Sequence, residues 1–294
     1  MIRVTMVAPR SAVPNDLLIP LDASMTAPRM TGGRLEAGHV VQVMGHCEDP
    51  GALRTALRRQ AGEVAVAVVE EPLASTPAKL VLLDVDSTLT TTEAVDLLAE
   101  YAGAADRVAE ITERAMRGEL DFAESLRERV STLRGLSTEI FDEVAPRMTL
   151  SPGAELLVSA AKAAGAKVGV TSGGFTQLVS PLAERLGLDF SNANVLETEL
   201  LPDGKEVLTG RVTGTIVDRQ QKAKDLRRFA AAHSIDLDLT VAVGDGANDL
   251  DMLAAAGLGI AYCAKPVTAQ AADAAISFPR LDAVALLAFG APRA

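Results

Sequence analysis

The sequence predicts an α/β fold: a doubly wound, Rossmann-like parallel sheet with an inserted helical cap and a small N-terminal α+β domain. Two observations lead to this fold class. From residue 78 to residue 294, apolar strand-like runs alternate with helix-like segments, a rhythm typical of parallel sheets covered by helices on both faces. The charged, helix-like stretch 92–149 interrupts that rhythm directly after the first strand. We therefore expect it to be a cap inserted into the sheet domain.

Residues 1–75 are predicted to form the small N-terminal domain. Asp49 precedes Pro50, and this pair is typical of an N-cap followed by the first position of a helix. Segment 11–38 has no clear periodicity, and residues 71–77, with two prolines and small polar residues, are expected to be a linker. The predicted strands are Ile2–Val7, His39–Met44 and Glu63–Val69, and the predicted helix is Asp49–Gln60.

The core begins with the run LVLLDVD, a continuous apolar stretch that ends in acids. Such a run is typical of a buried parallel strand whose carboxyl end meets solvent. No element is predicted between residues 187 and 221. The later strands are expected at 166–172, 239–245 and 259–264, and the helices at 154–164, 175–186, 222–233 and 249–257.

Net charge, apolar stretches and cysteine content argue against several classes of function. A formal net charge of −11 argues against a polyanionic partner such as a nucleic acid. No stretch approaches 18 uncharged apolar residues, so no membrane span is expected. The two cysteines, Cys47 and Cys263, lie far apart and form no CxxC pair, which favours a reducing compartment and a cytoplasmic location. The N-terminus lacks the apolar region of a secretion signal.

Polar residues with related chemistry follow the predicted strands. Ligands of doubly wound sheets bind beyond the carboxyl ends of the strands, so these residues are expected to meet at one edge, together with a lysine at the start of a helix. They are Asp84 and Asp86, Ser172 and Gly173, Lys222, and Asp245, Asn248 and Asp249.

This combination predicts phosphoryl transfer. A carboxylate can attack phosphorus and form an aspartyl-phosphate, and a carboxyl two residues further on can protonate the leaving oxygen and later activate water. Acids from a separate strand can hold Mg²⁺. A lysine, a hydroxyl group and backbone N–H groups can hold the transferring oxygens. Each motif alone is common, and only their order along the chain makes the prediction specific.

The motifs resemble those of the haloacid dehalogenase-like (HAD) hydrolase superfamily and, within it, the phosphoserine phosphatase family. DVDST at 84–88 matches the superfamily's DxDxT motif, and Ser172, Lys222 and GDGAND at 244–249 match the others. ERAMRGELDFAESLRERV within the cap, together with TSGGF and GLGIAYCAKP, is similar to the narrower family. The resemblance covers residues 78–290.

The resemblance implies a role for each matching residue. Asp84 would be the nucleophile and Asp86 the general acid and base. Mg²⁺ would be held by the carboxylates of Asp84 and Asp245 and by the backbone carbonyl of Asp86, with Asp249 close by. The residues implied to bind substrate are Glu93, Met116, Phe122, Arg129, Ser172, Gly173, Lys222 and Asn248.

The implied substrate is O-phosphoserine, with Glu93 pairing its ammonium group and Arg129 its carboxylate. Two alternatives stay open: a phosphatase or phosphotransferase for another small phosphomonoester, and a non-catalytic amino-acid sensor. Longer members of the family carry amino-acid-binding ACT-type domains, and residues 1–75 suit a shortened version. This domain could instead support a homodimer.

Overall fold

The computed structural model describes residues 1–290, except for the side chain of Met116. Within this part of the chain the strands are β1 Ile2–Ala8, β2 Met25–Leu35, β3 Gly38–Cys47, β4 Ala65–Glu70, β5 Leu80–Leu83, β6 Lys167–Phe175, β7 Phe190–Leu200, β8 Glu206–Thr213, β9 Thr240–Gly244, β10 Leu258–Tyr262 and β11 Ala274–Ile276. The helices are α1 Ile19–Ser24, α2 Pro50–Gln60, α3 Ala94–Tyr101, α4 Ala105–Met116, α5 Phe122–Ser131, α6 Ile140–Val144, α7 Ala154–Ala163, α8 Thr176–Leu186, α9 Arg219–Ala232, α10 Leu250–Ala255, α11 Pro266–Ala271 and α12 Ala283–Phe289.

A seven-stranded sheet forms the centre of the fold, in the order β11-β10-β9-β5-β6-β7-β8. Its strand pairs are parallel except β7–β8, which is antiparallel. All four residues of β5 are buried, because this strand lies between β9 and β6 and is covered on both faces. The predicted fold class is confirmed.

The N-terminal strands form a second sheet, in the order β2-β3-β1-β4. With α1 after β1 and α2 after β3, the chain follows the β-α-β-β-α-β order of ferredoxin-like folds. Val4 and Met6 face a core shared with Leu53 and Leu57 of α2. Val7 belongs instead to the large core that includes α12 and the central sheet. Both faces of β1 are therefore buried.

Two segments of the chain differ from the structure predicted for them. Segment 11–38, which showed no periodicity, contains α1 and β2; ten of the eleven residues of β2 are exposed, so no alternation marks it. The interval 187–221, which received no element, contains the β7–β8 hairpin. The expected N-cap of α2 is confirmed, since the Asp49 carboxylate accepts a hydrogen bond of 2.8 Å from the Ala52 N–H.

Helices α3–α6 lie between β5 and β6 in the chain, as expected for an insertion. They pack on the β7–β8 hairpin as well: the Gly135 N–H donates to the Leu208 carbonyl, and the Leu208 N–H to the Leu136 carbonyl, both at 2.8 Å. The hairpin thus supports the helical block. None of the described helices combines the length and the apolar character that crossing a membrane requires. The division at residue 75 into two domains stays a prediction.

Candidate active site

The candidate site lies at the carboxyl edge of the central sheet. Because β5 pairs with β6 on one side and β9 on the other, the residues that follow these strands meet there. A cavity of about 660 Å³ extends from this edge to α4 and α5 of the helical block. Asp84, Asp86 and Asp245 line it on the sheet side, and Phe122 and Arg129 on the helical side.

A buried lysine joins two carboxylates at the base of the site. The Lys222 ammonium group, fully buried on the first turns of α9, lies 2.7 Å from an Asp84 oxygen and 2.7 Å from an Asp249 oxygen. Burial by itself would lower the pKa of Lys222, but the Asp249 and Asp84 carboxylates outweigh it and the pKa is raised. Lys222 therefore stays positively charged and fixes both carboxylates.

Three acids form a group that suits a metal ion. Carboxylate oxygens of Asp84, Asp245 and Asp249 lie within 4.8 Å of one another. Burial first, and then the neighbouring Asp249, raises the pKa of Asp84 well above its usual range. Burial, followed by the charges of Asp249 and Glu93, raises the pKa of Asp245 to about 6. A divalent cation would relieve this repulsion, and oxygen ligands are those that hard cations prefer, so the residues fit a metal site.

Asp86 is buried and accepts two hydrogen bonds at the edge of the sheet. Its carboxylate accepts hydrogen bonds from the Ala94 N–H at 2.8 Å and the Ser172 hydroxyl at 3.3 Å. Burial, followed by the charge of Glu93, raises its pKa to about 7, where a carboxyl can both donate and accept a proton near neutral pH. A Cβ at Gly174 would lie 2.7 Å from an Asp86 oxygen, so only glycine leaves room for this carboxylate.

The outer part of the cavity has side chains of opposite charge, Glu93 and Arg129, and an apolar wall. Glu93 accepts a hydrogen bond of 2.7 Å from the Ser87 hydroxyl, and Ser87 has a positive φ of 56°, a conformation uncommon for serine. Burial lowers the pKa of Arg129, while Glu93, Asp96 and Asp86 act in the opposite direction. Phe122 covers Gly173, where a Cβ would lie 3.0 Å from its ring.

Sequence comparison identifies the family to which this chain belongs. Residues 81–254, more than half of the chain, match the haloacid dehalogenase-like hydrolases. The chain belongs to the haloacid dehalogenase-like hydrolase family.

Individual relatives of this hydrolase are similar over most of the chain. A Streptomyces coelicolor protein named phosphoserine phosphatase is 54% identical over 237 residues, which cover 80% of this chain and 57% of that protein. The chain thus spans little more than half the length of this relative. A Streptococcus thermophilus protein of the same name is 49% identical over 202 residues, which cover 69% of this chain and 92% of that protein. A solved structure of a phospho-aspartyl intermediate analogue of phosphoserine phosphatase has a TM-score of 0.65 and 42% sequence identity. The match covers 71% of this chain and 98% of that one.

The structure of this HAD hydrolase brings together most of the residues singled out from the sequence. Three of these residues contact the cavity lining without being part of it. Ser172 donates to Asp86, and Lys222 contacts both Asp84 and Asp249. The side chain of Met116 lies outside the described part of the structure. The predicted residues that line the cavity are Asp84, Asp86, Glu93, Phe122, Arg129, Gly173, Asp245 and Asn248. Their individual roles stay predictions.

Several residues in or next to the cavity were not singled out from the sequence. Ser87 and Thr88 contact residues that line it: Ser87 donates to Glu93 at 2.7 Å and Thr88 to an Asp245 oxygen at 3.3 Å. Both lie inside the DVDST motif, so their position next to Asp86 was an available signal. Arg219 and Lys265 line the cavity itself. Arg219 begins α9 and Lys265 directly precedes α11, and no local pattern distinguishes either from a surface cation.

Asp225 is a further residue that the sequence analysis missed. Although it is fully buried one turn after Lys222, the segment QQKAKDLRRF makes it look like an exposed helix charge. Its carboxylate accepts hydrogen bonds from Thr171 at 2.7 Å, Asn192 at 2.6 Å and Gln221 at 3.0 Å. Asp225 thus ties α9, which carries Lys222, to β6 and β7.

Replacing Asp225 by alanine is expected to lower the free energy of unfolding by about 2–4 kcal/mol, because donors buried around it lose their acceptor. Urea denaturation followed by circular dichroism measures this change. As a control, Asp142→Ala removes an exposed carboxylate from α6 and should change stability by less than about 0.5 kcal/mol. Equal stability of the two variants would show that the Asp225 contacts contribute little.

Proposed function

We propose that this chain is a Mg²⁺-dependent phosphoserine phosphatase that hydrolyses O-phospho-L-serine to L-serine and phosphate, the last step of serine biosynthesis. The observation that carries the proposal is the placement of Glu93 and Arg129 on the wall of the cavity that also contains Asp84 and Asp86. An ammonium group and a carboxylate taken out of water both need partners of opposite charge. The relatives named above support the same substrate.

The residues at the sheet edge can carry out the two half-reactions. Asp84 attacks phosphorus, and the bond to the serine oxygen breaks as Asp86 gives that oxygen its proton. Asp86 then takes a proton from water, which attacks phosphorus and releases phosphate from Asp84. The raised pKa of Asp86, about 7, suits both steps near neutral pH. Lys222 and the backbone at Gly173 would hold the phosphoryl oxygens.

Asp84, Asp245 and Asp249 would hold Mg²⁺, together with the backbone carbonyl of Asp86. Bound there, the cation supplies positive charge that lets a phosphate dianion approach the acids. Phe122 would form part of the apolar wall, and Asn248 would bind phosphate at the cavity edge. The proposed location is the cytoplasm, in keeping with two unpaired cysteines. A homodimer stays a prediction.

The proposal is tested by measuring phosphate release from L-phosphoserine, phosphothreonine, phosphoethanolamine, 3-phosphoglycerate and p-nitrophenyl phosphate. Each compound is assayed with Mg²⁺ and with EDTA. We expect a preference for L-phosphoserine of at least about 100-fold in kcat/KM, because only this compound satisfies both Glu93 and Arg129 without added bulk. EDTA is expected to abolish the activity, and renewed Mg²⁺ to restore it.

The other outcomes separate the alternatives. Mg²⁺-dependent activity that is strongest on another compound would keep the chemistry but contradict the substrate. Faster release of serine than of phosphate in the presence of an acceptor alcohol would indicate a phosphotransferase. No activity on any compound, with phosphoserine still bound in a calorimetric titration, would indicate the amino-acid sensor.

A further inference from the structure

Helix α2, near the N-terminus, contacts the C-terminal end of the short helix α11. The guanidinium group of Arg58 donates to the Ala272 carbonyl at 2.7 Å and also to the Ala269 carbonyl. These carbonyls lie in the last turn of α11 and just after it. A cation at the C-terminus of a helix is favourable both as a hydrogen-bond donor and electrostatically. Arg58 therefore fixes this end of α11 to the N-terminal sheet domain.

A second arginine one helical turn earlier strengthens the attachment. Arg54 lies 3.4 Å from an Asp273 oxygen and donates to the Val68 carbonyl of β4 at 3.0 Å. The other Asp273 oxygen accepts from the Gly259 N–H at 2.9 Å. Residues at i and i+4 share one face of a helix, so Arg54 and Arg58 together face the segment between α11 and β11.

The opposite end of α11 reaches the active site. Lys265, directly before the helix, lines the cavity with Asp84 and Asp245. The helix also packs against the turn Ala247–Asp249, which carries two of the predicted site residues. With six residues, α11 is about 9 Å long, so a displacement at Ala269 reaches Lys265 within a single rigid unit.

We propose that Arg58 is a positioning residue: by holding the C-terminal end of α11, it keeps Lys265 at the cavity edge, where the ammonium group attracts the phosphate dianion. This gives the N-terminal domain a role in substrate binding. The inference rests on the proposed function only in requiring that the cavity binds phosphate. Asp84, Asp86 and Lys222 have their hydrogen-bond and ion-pair partners on other elements than α2, so the chemical steps themselves are expected to proceed as before.

The test compares Arg58→Ala, Lys265→Ala, the double variant and Arg59→Ala. Arg59 is the matched control, since it is an exposed arginine beside Arg58. The Kd for inorganic phosphate with Mg²⁺ is measured by calorimetry, and KM and kcat are measured with L-phosphoserine. Arg58→Ala and Lys265→Ala are each expected to raise Kd and KM about 5- to 20-fold with kcat within about twofold. The double variant should be no weaker than Lys265→Ala, because both changes remove the same interaction. Arg58→Lys, which can bond one carbonyl, should restore part of the affinity.

Any of three results would overturn the proposal. The Kd for phosphate could be unchanged in Arg58→Ala, or it could rise as much in Arg59→Ala as in Arg58→Ala. In the double variant, the increases in Kd of the two single variants could multiply. If Arg58→Ala does not fold, Arg58→Lys takes its place in the cycle, with Kd between the values of the parent and Lys265→Ala. A parent chain that binds phosphate but does not hydrolyse phosphoserine would contradict the proposed function alone, and the Kd comparison would still decide the role of Arg58. A parent that binds no phosphate would contradict both.

Discussion

Replacing Asp84 by asparagine is expected to lower kcat for phosphoserine by about 10⁴-fold or more, because an amide cannot form the acyl-phosphate bond. The substitution keeps the shape of the side chain, and Lys222 keeps its 2.7 Å contact with Asp249, so the fold is expected to persist. Steady-state phosphate release with Mg²⁺ measures the loss, and circular dichroism checks the fold.

The matched control for this variant is Asp142→Asn, an isosteric change at an exposed position of α6. It should leave kcat within about twofold of the parent. A folded Asp84→Asn protein that keeps more than about a tenth of the parent activity would show that another group attacks phosphorus. The role of Asp84 as nucleophile would then be wrong.

Replacing Arg129 by alanine is expected to lower kcat/KM for L-phosphoserine by about 100- to 1,000-fold, because the substrate carboxylate would be left unpaired in the cavity. Hydrolysis of p-nitrophenyl phosphate should change by less than about threefold, since this compound has no carboxylate to lose a partner. The ratio of the two kcat/KM values, measured on one preparation, separates lost substrate recognition from a damaged site.

Arg127→Ala provides the control for Arg129. Arg127 is exposed on the same helix, two residues away, and its removal changes the net charge equally. It should leave both substrates unaffected within about twofold. Equal losses on both substrates in Arg129→Ala would mean that Arg129 supports the helical block, whereas no loss on either would remove it from the substrate site.

Much of the site could be predicted because the chemistry lies at strand ends. Asp84, Ser172 and Asp245 each follow a run of buried residues, and the order of parallel strands brings these ends to one edge. The burial of Lys222 could not be predicted in this way, because it depends on Asp84 and Asp249, which are distant in sequence. The same is true of Asp225, whose partners come from three different elements.

The elements that were missed lacked a hydrophobic signal. Strand β2 exposes almost all of its residues, so neither alternation nor an apolar run marks MTAPRMTGGRL. Helix α1 is only six residues long, too short for helical periodicity to be visible. For β7 and β8 a signal existed: LPDGK at 201–205 has the Asp-Gly sequence of a tight turn between strands. That hairpin supports the helical block, so recognising it would have explained how the block is held over the site.

Trapping the phosphoenzyme formed from L-phosphoserine tests directly whether Asp84 attacks phosphorus. The protein is mixed with Mg²⁺ and L-phosphoserine, quenched in acid within milliseconds, digested and analysed by mass spectrometry. We expect one added phosphoryl group on the peptide that contains Asp84, absent when EDTA is present and absent in Asp84→Asn. Phosphate release without any phosphorylated peptide, or phosphorylation at a different residue, would show that Asp84 is not the nucleophile.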